Sequence, residues 1–161
     1  MVQTAFIDLE ASGLNAQSWP LEVGWCFLDG DADSVLIKPA DSWPMSAWDE
    51  GAEELHGITH ACATKEGETI GKVCATLNAA LGDAAVYSDA PDWDGYWLYR
   101  LFSTAGIRQR FKILNFEEIL APASPEAIKT AIGKAEATFP HCHRAAPDVL
   151  HMRAVYAHLG L

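Results

Sequence analysis

The stretch "FIDLEASGL", residues 6–14, begins as a buried strand begins and then sets two carboxylates into the run. Acidic residues are depleted from strands because they pack poorly on a half-buried pleat. Residues two apart on a strand project from the same face. Asp8 and Glu10 therefore stand side by side near a strand's end. Two charges that close repel, and they cannot both stay ionised without help. A divalent metal gives that help; a polar strand end reaching solvent is the other reading of the segment.

Outward from this run, residues 2–10 read as a strand, residues 21–28 ("LEVGWCFL") as a second and "SVLIKP" as a third, with "DGDAD" as the turn between the last two. Short links make these three an antiparallel meander. The period then changes. "SAWDEGAEELHG" reads as a short helix, with Ser46 as its cap and Gly57 just past its end. Residues 67–82 form an amphipathic helix with Ile70, Val73, Cys74, Leu77 and Leu81 on one face. "AAVYS" reads as a strand and "RFKIL" as a short one. "PDWDGYWLYRLFSTAG" between them is a helix with Pro91 in its first turn and Gly106 at its end. Residues 125–137 and 148–159 are two more helices. The expected fold is α/β: a mixed five-stranded sheet, a meander plus further strands, flanked by helices.

The chain's 161 residues suit one domain, and half of them are hydrophobic. No internal repeat or low-complexity segment interrupts it. The net charge of -11 weighs against a basic groove for a phosphate backbone. Two divalent ions would bring about four positive charges to the place that matters, so the count does not exclude nucleic acid. Four cysteines without a CxxC pair, no signal peptide and no long apolar segment make a reduced, cytoplasmic protein the expectation. His141-Cys142-His143 hints at zinc, but a closed zinc site needs four ligands at recognisable spacing. Six tryptophans can serve as core or as a stacking surface for bases.

Two more segments carry carboxylates. On the helix of "SDAPDWDGYWLYRLF", Asp94 shares a face with Trp97, Leu98, Leu101 and Phe102, so an acid heads the apolar stripe. Asp89 reads as a cap and Asp92 points off the stripe. An ordinary acidic first turn, favoured by the helix dipole, is the plain alternative. In "HRAAPDVLHM", His143 precedes a helix whose first turn holds Pro147 and Asp148, and a plain first-turn acid is the other reading of Asp148. His143, in a loop, can act as a base.

Read in order, these residues are Asp, Glu, Asp, His, Asp. The pattern resembles the DEDDh group of 3′–5′ exonucleases, which includes proofreading and ribonuclease T-like enzymes. "DLEASGL" is similar to that family's first motif. "HRAAPD" matches its last, H-x-A-x-x-D. "LHGIT" (residues 55–59) and "PLEVGW" resemble segments it carries between. The likeness runs from residue 5 to about residue 157. It departs at Ala11-Ser12, where the family often has Thr-Thr, and at "DAPDWD", where it often has His-Asn-x-x-Phe-Asp.

The resemblance implies a ribonuclease H-like fold and a single exonuclease-like domain over residues 1–161. It implies that Asp8, Glu10, Asp94 and Asp148 hold two Mg²⁺ or Mn²⁺ ions, with His143 as general base. The substrate would be a 3′ end of single-stranded DNA or RNA. Ala11, Ser12, Gly13 and Leu14 would meet the terminal nucleotide through backbone amides and a Leu14 wedge, with His56 beside them; packing or capping is the other reading of His56, as of His60. A basic patch of Arg100, Arg108, Arg110 and Lys112 and a homodimer supported by exposed tryptophans are further expectations. A small phosphodiester or nucleotide hydrolase, and a non-catalytic binding subunit on the same fold, remain open alternatives.

Overall fold

The computed structural model describes residues 1–161. Three strands form the meander: β1 (Thr4–Ala11), β2 (Pro20–Phe27) and β3 (Asp33–Leu36). Three helices follow, α1 (Glu50–His56), α2 (His60–Glu66) and α3 (Ile70–Leu81). Then come β4 (Ala85–Ser88), α4 (Pro91–Ala105), β5 (Ile113–Asn115), α5 (Phe116–Leu120), α6 (Pro125–Thr138) and α7 (Ala145–His158). The sheet order is β3-β2-β1-β4-β5, antiparallel through the first three strands and parallel from β1 to β4 to β5. This is the mixed sheet the sequence predicts.

Side-chain alternation along β1 divides the core into two layers. Ala5, Ile7, Leu9 and Ala11 face one layer, with buried residues of α3 and α4 and with Trp19, Trp25 and Trp43 around them. Phe6 faces the other, with Cys26, Phe116, Ala131, Ala135, Val149, Met152 and Val155 from β2, α5, α6 and α7. Asp8 and Glu10 continue the Phe6 face, so they emerge under α7.

Several expectations shift at the helix ends. Asp49, not Ser46, caps α1: its Oδ1 accepts from Gly51 N–H at 2.8 Å, and Ser46 belongs to a single 3₁₀ turn, Met45–Ala47. Gly57 does end α1, at φ 71, where a left-handed residue closes the last turn. Helix α2 lies in a segment without a long apolar period; Thr59 starts it by accepting from Cys62 N–H at 3.0 Å. Helix α5 is one turn capped by Asn115. Helix α7 begins at Ala145 rather than 148, because Pro147 is compatible with a first helical turn.

No tryptophan is exposed, which removes the support offered for a homodimer. Trp19, Trp25, Trp43 and Trp97 are buried. Trp19 donates to Pro44 O at 3.0 Å, Trp43 to Thr104 Oγ1 at 3.0 Å and Trp97 to Ser18 Oγ at 2.8 Å, so three indole N–H groups pin loops to the core.

Helix α7 approaches the sheet through Gly24. A Cβ built there would stand 2.6 Å from the carbonyl carbon of Ala145. Gly24 is the register partner of Asp8. The missing side chain thus lets the start of α7, which carries Asp148, rest beside the acidic end of β1.

Candidate active site

Three parts of the chain bring carboxylates together. Ligand oxygens of Asp8, Glu10 and Asp148 lie within 4.8 Å of one another, and those of Asp8, Asp89 and Asp94 do likewise. Asp8 belongs to both groups and is their centre. Asp8 is 8% exposed and Asp94 1%. One buried oxygen of Asp8, Oδ2, has no hydrogen-bond partner. An orphaned buried acceptor is costly, and such groups call for an ion or another explanation.

Each acid is held by local structure. Ser88, the last residue of β4, donates its hydroxyl to Asp94 Oδ2 at 2.5 Å. Asp94 sits in the first turn of α4, directly above the buried stripe of Trp97, Leu98, Leu101 and Phe102. Asp148 Oδ1 accepts from Cys142 N–H at 2.9 Å, and its Oδ2 lies 3.1 Å from His141 Nε2. Asp92 is exposed and outside both groups. Asp89 does not cap α4, whose N-cap is Ala90 without a side-chain bond. It joins Asp94 and Asp8 instead.

Electrostatics follow from crowding. Burial, then Asp94, Glu10 and Asp148, hold the Asp8 carboxyl well above the usual range. Burial does the same to Asp94, against the Ser88 hydrogen bond. Burial and then Asp148 push Glu10 up to about 8. Burial raises Asp148 against its Cys142 hydrogen bond and the nearby His141 and His143. Without cations these carboxyls resist ionisation; hard divalent ions fit an all-oxygen donor set of this kind.

A buttress stands beside the acids. Glu22, the register partner of Glu10, takes a bidentate bond from Arg144 (3.0 and 2.7 Å) and accepts from Ala145 N–H at 2.9 Å. Bidentate guanidinium pairing fixes orientation as well as charge. It seats the two residues that follow His143. His143 itself has φ 58, the one left-handed non-glycine residue, a conformation costing about 1–3 kcal/mol.

A cleft of about 510 Å³ borders the acid cluster at Glu10. Glu10 and His143 line it, together with Gly13, Leu14, Ala52, Leu55 and Trp97 among others. Leu14 is 68% and Leu55 61% exposed, so neither is core packing. Ser12 differs from its expected role: its N–H donates to Trp19 O at 2.9 Å and its Oγ accepts from Trp19 N–H at 3.0 Å. It ties the loop and has no amide left for a ligand. His56 lines the cleft but both ring nitrogens are engaged: Nδ1 accepts from Ile58 N–H at 2.9 Å, so Nε2 carries the proton donated to Ala11 O at 3.0 Å. Burial lowers its pKa and keeps it neutral. His60 packs on Trp19 and Trp48.

The expected basic patch lies elsewhere. Arg108, Arg110 and Lys112 line a hollow in the segment before β5. That strand runs parallel to β4 and β1, so the hollow is at the pole where these strands start. The acids lie where they finish. Arg100 bonds the Tyr96 hydroxyl at 3.4 Å and is not part of this hollow. The residues that sequence reasoning missed are Asp89, read as a cap, and the Glu22–Arg144 pair, whose partners lie far apart in the chain and carry no local signal.

No protein-family model matches the sequence, and no curated protein matches it significantly. The fold does match solved structures. One exonuclease I structure, described as suggesting how processivity is achieved, superposes with a TM-score of 0.78 at 17% identity over 99% of this chain. Escherichia coli exonuclease I in complex with a dT13 oligonucleotide gives 0.74 at 14% identity over 99%. Exonuclease I of Methylocaldum szegediense gives 0.75 at 16% identity over 99%. This chain spans 40%, 41% and 40% of those chains, respectively. The architecture is therefore ribonuclease H-like.

Proposed function

We propose that this chain is a metal-dependent 3′–5′ exonuclease of the DEDDh type, acting on single-stranded ends and releasing nucleoside 5′-monophosphates. The observation that carries the reading is Asp8: a buried carboxylate with an unpartnered oxygen, shared by two carboxylate groups, one of which reaches a cleft through Glu10. The fold likeness to exonuclease I structures, one of them bound to a dT13 oligonucleotide, supports a nucleic-acid substrate. All of residues 1–161 would act as one catalytic domain.

Asp8, Glu10, Asp94 and Asp148 would hold Mg²⁺ or Mn²⁺, with Asp89 as an additional carboxylate. When bound, such ions polarise a phosphoryl oxygen and acidify water. The chain's own residues do the rest. His143, at the cleft's edge, takes the proton of the attacking water. Leu14 and Leu55 flank the terminal base, and the backbone of Ala11 and Gly13 runs past the nucleotide. The Glu22–Arg144 pair keeps His143 and Asp148 in register. Purified chain with Mn²⁺ or Mg²⁺ and 5′-labelled RNA and DNA oligomers should give a ladder shortening from the 3′ end. EDTA and His143→Ala should each abolish it. A ladder that persists in both controls would refute the proposal.

One observation favours a second reading. The basic hollow sits at the far pole, leaving no positive track beside the cleft of a chain with net charge -11. A hydrolase of dinucleotides or nucleotides fits that better. Turnover of a 2-mer faster than that of a 20-mer would select it.

A further inference from the structure

The loop between α6 and α7 carries a donor set of different chemistry. His141, His143 and Asp148 each offer a ligand atom, all within 4.8 Å of one another. The two imidazole rings meet edge to face at 4.9 Å. His141 Nε2 is 3.1 Å from Asp148 Oδ2. The loop is built to keep them there: Cys142 N–H is fastened to Asp148 Oδ1 at 2.9 Å, and His143 takes its left-handed turn between that anchor and the Arg144–Glu22 pair. His151 is a neighbour, its ring 5.9 Å from that of His141, but its Nδ1 faces Phe139 O at 2.8 Å.

Two nitrogens and one carboxylate oxygen suit a borderline-soft ion with an open fourth position, which describes Zn²⁺ and not Mg²⁺. We propose that this loop is a second metal site, for Zn²⁺ or a similar transition ion, adjoining the oxygen-only centre at Asp8 and sharing Asp148 with it. Occupancy would take up the nitrogen of His143 and an oxygen of Asp148. If the proposed nuclease reading holds, Zn²⁺ is then an inhibitor at concentrations where Mg²⁺ supports turnover. Binding itself does not depend on that reading.

The test is calorimetric titration of the whole chain with Zn²⁺ in excess Mg²⁺. It compares wild type, His141→Ala, His141→Gln and Asp94→Asn, each checked for a cooperative melting transition. The expected result is a Zn²⁺ affinity weakened at least about tenfold by either His141 change, in line with the loss of a ligand, and little altered by Asp94→Asn. Wild-type affinity in the His141 variants, or its loss in Asp94→Asn, would overturn the proposal by placing Zn²⁺ among the carboxylates. Should both His141 variants unfold, Co²⁺ bound to wild type decides. Intense visible absorption of low-coordinate nitrogen ligation supports the site, and the weak spectrum of octahedral oxygen ligation rejects it. Nuclease assays run in parallel keep failure of the enzyme reading apart from failure of this one.

Discussion

Asp8 sets the character of the cleft at the scale of single residues. Its carboxyl is short of partners and crowded by Asp94, Glu10 and Asp148. Asp8→Asn should therefore do two opposite things. It should lower kcat at least about a hundredfold, as expected for a lost metal ligand. It should also raise the melting temperature of metal-free protein, because a group that resists ionisation has been replaced by a neutral one. A mutant that is both inactive and less stable without metal would contradict the electrostatic account. Asp92→Asn should match wild type in both measurements, since Asp92 is exposed and outside the carboxylate groups. Leu14→Ala should raise KM for an oligonucleotide severalfold with an unchanged melting temperature. The side chain is 68% exposed, so its removal leaves no cavity.

At the scale of elements, the decisive contact is α7 on β2. Gly24→Ala would drive a Cβ to 2.6 Å from Ala145 and lift the helix that carries Asp148. Overpacking of this sort costs about 1–3 kcal/mol. A lower melting temperature should come with lost activity even well below it, and full activity in a destabilised variant would show that α7 does not need that seat. Such contacts also mark what the sequence could and could not tell. The acids on β1 were legible because strand periodicity puts Asp8 and Glu10 on one face. Asp94 was legible because it heads an apolar stripe whose every member is buried. Asp89 was not, since nothing local distinguishes a cap from an acid turned toward a distant strand. Helices α2 and α5 were missed because seven-residue and five-residue helices are too short to display a period. Ser12 looked like part of a ligand-binding loop, but its hydrogen bonds to Trp19, seven residues on, depend on how that loop closes, which the local pattern does not reveal.

For the molecule as a whole, the acids predict an inverted pH response. Glu10 is pushed up to about 8, and Asp8, Asp94 and Asp148 shift the same way. Between their ordinary and raised values the folded chain holds protons that the unfolded chain has released, so stability falls as pH rises. His56 works the other way, but its contribution is complete once pH exceeds its ordinary value of 6.5. Melting temperature in EDTA should therefore drop from about pH 6.5 to about pH 8, and Mg²⁺ or Mn²⁺ should restore more of it at the upper end. A midpoint that climbs through that interval without metal would refute the assignment. The seat of α7 on Gly24 has one more consequence, which concerns time. A ribosome delivers β1 early and Asp148 near the end of these 161 residues. Until the last helix docks, the nascent chain holds only part of its acid cluster, so a half-made copy lacks the Asp148 corner of the proposed metal site.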